Sequence, residues 1–281
     1  MSDVVDLSTV TEAPPWEARE RPTWGLVEGD AIAPGRTVLR RLGGGRLYEV
    51  FLVWDDHRLA VLVAKVLRPD QAGHIGLLAR EAELLARLAH PVIVRGFDVR
   101  LETPFPHLLL EHLEGPTLGE LLERDGPLAL EQALPLGLHV ASALHYLAAE
   151  GVVHLDVKPG NVVMGAPPRL IDFSVARPVA EAAHLRRPVG THAYMAPEQR
   201  EPSSHRIGPA ADVFGLATTL HHALAGARAP EPLPRRVPGA LAGMLRAAMA
   251  HDPVQRPAAA ELATGLEPLV AALPRRRGWR R

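Results

Sequence analysis

A change of hydrophobic period near Gly115 is what most narrows the folds open to this chain. Before it, short β-type runs alternate with glycine and charged turns. Val38 to Leu42, Tyr48 to Val53 and Leu59 to Leu67 each read as a strand, with Val92 to Val94 and His107 to Leu110 as two more. One interruption, Ile75 to Leu88, carries Leu77, Leu78, Leu84, Leu85 and Leu88 at helical spacing. After Gly115 the helical period takes over at Thr117 to Arg124, Leu130 to Glu150, Ala211 to Ala225, Leu241 to Ala250 and Ala258 to Leu266. Residues 152–172 hold only short strands. Strands gathered first and helices second predict an α+β fold of two lobes with a cleft between them. The expected division is an N-terminal extension over 1–32, a strand-rich lobe over 33–113, a helical lobe over 114–268 and a basic tail over 269–281. Trp16 and Trp24 are expected to anchor the extension on the body.

At 281 residues the chain can bury a substantial core, and 47% hydrophobic against 22% charged residues excludes a disordered polymer. A balance of 31 Lys+Arg against 32 Asp+Glu supplies no general attraction to nucleic acid or an anionic membrane. The absence of cysteine excludes disulfides, thiolate metal sites and thiol catalysis. No apolar run reaches the roughly 18 residues of a membrane helix. Met1 to Thr11 lacks the basic start of a secretory signal, so a cytoplasmic location is expected. The 14 histidines are dispersed, and a histidine metal site is not expected.

The chemistry is concentrated in His154-Leu155-Asp156-Val157-Lys158-Pro159-Gly160-Asn161 and, after Leu170-Ile171, in Asp172-Phe173-Ser174. Transfer of a phosphoryl group from a nucleotide asks for such a set. One carboxylate takes the proton of the attacking hydroxyl, a cation steadies the group in flight, and an Asn and a second Asp hold Mg²⁺. The run resembles the catalytic loop and metal motif of eukaryotic-like serine/threonine protein kinases, including their bacterial members. It departs from their H-R-D and D-F-G forms at Leu155 and Ser174. The resemblance implies Asp156 as base, Lys158 as the phosphate-side cation, and Asn161 with Asp172 as Mg²⁺ ligands, with Mn²⁺ as a substitute. His154 reads as a structural brace.

Three further stretches carry the same resemblance. Leu42-Gly43-Gly44-Gly45-Arg46-Leu47-Tyr48-Glu49-Val50 is similar to the glycine-rich nucleotide loop, with Gly43 and Gly45 on the first two glycines and Tyr48 where the third should be. On its own this pattern fits any glycine-rich hairpin. Tyr48 is expected to stiffen the loop and add bulk over the phosphates. Val63-Ala64-Lys65 resembles V-A-I-K, which makes Lys65 the partner of the ATP phosphates. Its acid, which in the family commonly lies nine residues before the His of a His-Pro pair, would be Glu81, since His90-Pro91 is that pair; Glu83 lies about 200° around the helix, so both cannot face the cleft. Val50, Val63 and Val163 would enclose adenine, and backbone groups of Glu111 and Leu113 would hydrogen-bond it. Gly190 to Glu198 resembles the G-T-x-x-Y-x-A-P-E platform for a peptide substrate. There Thr191 would contact Asp156 and Lys158, Asp212 would brace the catalytic loop, and Arg256 would pair with Glu198.

Leu155 stands where many family members carry an Arg that meets a phosphorylated loop residue. Between Asp172 and Glu198 the hydroxyl residues are Ser174, Thr191 and Tyr194. The sequence reading is therefore an ATP- and Mg²⁺-dependent kinase acting on Ser/Thr of protein substrates, without need of loop phosphorylation. Control through a regulatory partner protein stays open. The alternative is a pseudokinase, a nucleotide-binding or scaffolding module, which Tyr48, Leu155 and Ser174 favour and the intact Lys65, Glu81, Asp156, Asn161 and Asp172 oppose. A small-molecule phosphotransferase of similar shape is disfavoured by the platform.

Overall fold

The computed structural model describes residues 21–202, 206–229 and 231–274; Trp16 and the arginines of the tail lie outside them. The first lobe is built on β1 (Ala31–Ala33), β2 (Arg36–Gly44), β3 (Tyr48–Asp55) and β4 (Ala60–Leu67), then α1 (Ile75–Arg87), β5 (Gly96–Arg100) and β6 (His107–Glu111). The strands form one antiparallel sheet in the order β1-β2-β3-β4-β6-β5. Strand alternation divides its faces. Val38, Phe51, Val53, Leu62, Ala64, Val66 and Leu109 form one apolar cluster, capped by Trp24, Leu26 and Phe105. Directly paired Val50 and Lys65, and Leu52 and Val63, point to the other face.

On α1 the buried residues Leu77, Leu78, Glu81, Leu84 and Leu85 make one stripe, and Glu83 is exposed. A carboxylate inside an apolar stripe needs a cationic partner, or it must give up its charge.

The sheet reaches back across the boundary drawn at 32/33, because β1 pairs with β2. A strap ahead of it is tied down as well. Trp24 Nε1–H donates to the Leu67 carbonyl at 2.7 Å, and Glu49 accepts from Thr23 Oγ1 at 2.6 Å and from Trp24 N at 3.0 Å. The run Val92 to Val94 is not a sheet strand. It is buried because it crosses to the other lobe, where Leu170 N–H donates to Val92 O at 2.6 Å and Val94 N–H to Leu170 O at 3.0 Å. The fifth strand is the more polar Gly96–Arg100, whose mixed burial gives no apolar alternation to read.

The second lobe contains α2 (Leu118–Asp125), α3 (Leu130–Ala149), β7 (Val152–Val153), β8 (Val162–Val163), β9 (Arg169–Leu170), β10 (Arg177–Pro178), α4 (Val179–Ala182), α5 (Pro197–Arg200), α6 (Pro209–Ala225), α7 (Gly239–Ala248) and α8 (Ala259–Ala271). The last helix runs past the expected boundary at 268. Thr117 starts α2 with a capping box, its hydroxyl accepting from Glu120 N while Glu120 accepts from Thr117 N. Helices α3 and α6 form the centre, α6 buried on almost every side, and one buried cluster runs from Leu47, Leu67 and Leu78 through Leu170 and Phe173 to Leu220 and Leu266. The two lobes thus share a continuous core. Among the described residues no helix is long and apolar enough to cross a membrane.

Candidate active site

The run His154 to Asn161 occupies the loop between β7 and β8, and its backbone is held from below. Asp212, in the first turn of α6, accepts from the N–H of His154 and of Leu155, both at 2.7 Å. Burial pushes the Asp212 carboxyl up, and these two donors act against that. Leu155 sits at φ 66, a left-handed conformation that costs a non-glycine residue of order 1–3 kcal/mol. The strain is held at both ends, since the Leu155 carbonyl also accepts from Gln199 Nε2 at 2.8 Å. Gly190, at φ 112, passes so close that any Cβ there would collide with that carbonyl. His154 donates from Nε2 to the Ile171 carbonyl at 3.2 Å and accepts the Asp156 N–H at Nδ1, 3.3 Å away, with its ring edge-on to Phe173. That is a brace joining the loop to the Asp172 turn.

The anchored loop presents Asp156. Its Oδ1 accepts from Thr191 N at 2.8 Å, and its Oδ2 from Asn161 Nδ2 at 2.9 Å and Lys158 Nζ at 2.9 Å. Lys158 also donates to Thr191 Oγ1. Asn161 spends its amide N–H groups on Asp156 Oδ2 and on the Asp156 carbonyl at 2.8 Å, which leaves its side-chain oxygen for another partner. Ile171 N–H donates to Asn161 O at 2.9 Å and so ties the Asn to the segment that carries Asp172.

Lys65 reaches this assembly from the opposite lobe. Its Nζ lies 2.9 and 2.8 Å from the two oxygens of Glu81 and 2.8 Å from Asp172 Oδ1. Glu81 Oε1 also accepts Phe173 N–H at 3.2 Å. Helix α1, strand β4 and the Asp172 turn therefore meet at one ammonium. Burial alone would push the Asp172 carboxyl up, but the Lys65 charge and hydrogen bond hold it well below the usual carboxylate range. Burial likewise works to neutralise Lys65, and Asp172 and Glu81 reverse it, so its pKa is raised. Glu81 is raised, by burial first, with Lys65 opposing. Asp172 itself has φ 62, a second strained non-glycine residue at the site.

Val50 and Val63 are half-buried on the cleft face of the sheet, and Val163 lies in β8 on the other lobe. The Glu111 N–H is committed to the Arg95 carbonyl at 2.9 Å, and the Glu111 side chain pairs with Arg169. Leu113 is half-buried just beyond β6. In the glycine loop the conformational demand falls on Gly43 and Gly44, at φ 155 and 154, rather than on Gly45. A Cβ on Gly44 would come within 2.6 Å of the Tyr48 carbonyl oxygen. Tyr48 does not cover the loop from outside; its ring is turned inward and buried.

The platform is joined to the lobe by Glu198 in α5 and by Arg256, whose Nη1 and Nη2 lie 2.7 and 2.8 Å from the two carboxylate oxygens. Gln199, which the sequence does not single out, is buried beside them and clamps the Leu155 and Val189 carbonyls.

This disposition of two lobes and a shared site has relatives. A family model described as protein kinase domain matches residues 36–263. The chain belongs to the protein kinase family. It is 32% identical over 197 residues to the serine/threonine-protein kinase PknB of Mycobacterium leprae, covering 66% of this chain and 31% of that protein. It is 33% identical over 276 residues to the serine/threonine-protein kinase PkaA of Streptomyces coelicolor, covering 89% of this chain and 46% of that protein. The chain thus spans less than half the length of either relative.

Proposed function

We propose that this kinase transfers the γ-phosphoryl group of ATP, with Mg²⁺, to Ser or Thr hydroxyls of protein substrates. The observation that carries the reading is the meeting of Lys65, Glu81 and Asp172 across the two lobes, beside an Asp156 already oriented by Thr191, Asn161 and Lys158. The relatives named as serine/threonine-protein kinases support the choice of acceptor. Adenine would lie between Val50 and Val63 above and Val163 below, and Glu111 would offer its carbonyl, its N–H being spent. Lys65 would exchange Asp172 for phosphate oxygens and keep Glu81. The incoming hydroxyl would place its proton on Asp156 as its oxygen attacks the γ-phosphorus and ADP departs. Lys158 would steady the equatorial charge. The ionised Asp172 and the free oxygen of Asn161 suit Mg²⁺, a hard cation that takes oxygen ligands and keeps several waters. When bound, it would neutralise the β- and γ-phosphate charge.

Order in the loop after Asp172 is proposed to come from packing instead of phosphate. Leu155 is 3% exposed and sits in an apolar cluster with Val153, Val175, Ala182, Val189 and Ile207, against which Val179 and Leu185 pack. Residues of the loop thus bury their side chains on the one that replaces the arginine. That burial offsets an ordering entropy of roughly 1–2 kcal/mol per residue. The test is transfer from γ-labelled ATP–Mg²⁺ to a generic protein substrate, before and after complete dephosphorylation of the kinase. Label on phosphoserine or phosphothreonine at an unchanged rate is expected. No transfer at all would favour a pseudokinase. A large fall that tracks loss of phosphate from Ser174 or Thr191 would overturn the packing account alone.

A further inference from the structure

Tyr48 is the residue at the nucleotide end that the proposed reaction does not use, and its position interferes with it. It opens β3 directly opposite Leu67, on the face that carries Val50 and Lys65. The residue is 6% exposed, and the Lys65 ammonium lies 4.5 Å from the centroid of its ring. Its hydroxyl is buried and has no hydrogen-bond partner among the described residues. The ammonium expected to meet ATP phosphates is therefore already surrounded by Glu81, by Asp172 and by an aromatic face, which attracts a cation. A glycine at position 48 would leave that face open.

The backbone on either side of the ring is pinned. Arg68 donates from Nε to Gly45 O and from Nη1 to Pro22 O, both at 2.9 Å, and its N–H donates to Leu47 O at 2.9 Å. Glu49 is tied to Thr23 and Trp24, and Leu67 to the Trp24 indole. Arg68 and the strap thus tie down residues on both sides of Tyr48, while no hydrogen bond to a described residue fixes its hydroxyl.

We propose that Tyr48 is a gate on the phosphate subsite: its ring rests on Lys65 when the site is empty and swings off it to admit a nucleoside triphosphate. This rests on the reading that Lys65 receives ATP phosphates. The gate discriminates by phosphate, since adenine meets Val50, Val63 and Val163 and not Tyr48. The buried, unpartnered hydroxyl fits a residue with a second resting position, because leaving a polar group unsatisfied makes the closed seat less secure.

The chain has 3 tyrosines, so fluorotyrosine labelling yields resolvable ¹⁹F signals, with Tyr48→Phe assigning the one of interest. Saturating ATP–Mg²⁺ should move the Tyr48 signal of the otherwise unaltered kinase toward that of an exposed ring, and adenosine should not. Tyr48→Ala should bind ATP–Mg²⁺ about thirtyfold more tightly, the scale of losing one desolvated cation–π contact. Its adenosine affinity should be unchanged, and Tyr48→Phe should bind ATP–Mg²⁺ like the parent. A Tyr48 signal unmoved with ATP bound, or equal ATP affinity with and without the ring, overturns the gate and leaves the kinase reading intact. A marked loss of ATP affinity in Tyr48→Phe overturns it too, since the hydroxyl would then be a phosphate donor. Absence of ATP binding in the parent and in Tyr48→Ala removes the gate together with the reading beneath it.

Discussion

Lys65→Ala and Asp172→Asn are each expected to lower phosphoryl transfer by about 10²–10³, the usual cost of removing one well-placed electrostatic group. They should do so by separable routes. Lys65→Ala removes the cation that would hold the phosphates and leaves Glu81 buried without its ammonium. Its damage should appear in ATP affinity as well as in rate. Asp172→Asn keeps the size of the side chain and a donor-acceptor group beside Lys65, but loses the charge that Mg²⁺ needs. Its rate should climb with Mg²⁺ concentration well beyond the range that saturates the parent. Initial rates over a Mg²⁺ series, for both variants, check the pair. Parent-like turnover of Asp172→Asn at low Mg²⁺ would remove Asp172 from the metal site.

The second large effect is on stability. The side chains of Arg256 and Glu198 are 0% and 1% exposed, and they share two charge-assisted bonds. Removing one partner strands the other charge in the interior, which costs about 3–5 kcal/mol. Against a total stability of about 5–15 kcal/mol for a natural domain, that is a large share. Arg256→Met should therefore lower the urea midpoint sharply. It also releases the Ala250, Ala210 and His251 carbonyls that Arg256 gathers. Glu198→Gln, which keeps hydrogen-bonding capacity, should cost less. Equal midpoints for Arg256→Met and the parent would mean that the pair does not anchor the platform.

What the chain discloses before folding depends on whether the signal is local. The strand-to-helix order and the α1 stripe are periodic, and the structure reproduces them. The Glu81–Lys65 contact was legible because helix geometry lets only one of Glu81 and Glu83 face inward, and the family resemblance says which. Val92 to Val94 misled, because an apolar run reports burial and not its partner, and here the partner is Leu170 of the other lobe. The left-handed backbone at Leu155 has no trace in residue type; it is held by distant groups, Asp212 and Gln199, whereas Asp172 is of a type that visits that region more readily. The direction of Tyr48 was equally hidden. Alternation along β3 assigns it a face, but only its pairing with Leu67 beside Lys65 sets it on the ammonium. The strap from Pro22 to Trp24 lay in a stretch whose composition reads as a leader, and its ties run to residues 25 to 46 positions away.

The most direct measurement is single-turnover transfer from ATP–Mg²⁺ by the parent and by Asp156→Asn, with ATP affinity measured on the same samples. Asp156 is bonded by Thr191, Asn161 and Lys158, and not by Lys65, Glu81 or Asp172, so the substitution removes the proposed proton acceptor and leaves the Lys65 end of the nucleotide site as it is. A rate loss of at least about a hundredfold is expected, within the range for removing a general base, with ATP affinity unchanged. Transfer by Asp156→Asn at the parent's rate, with ATP bound equally well, would contradict it.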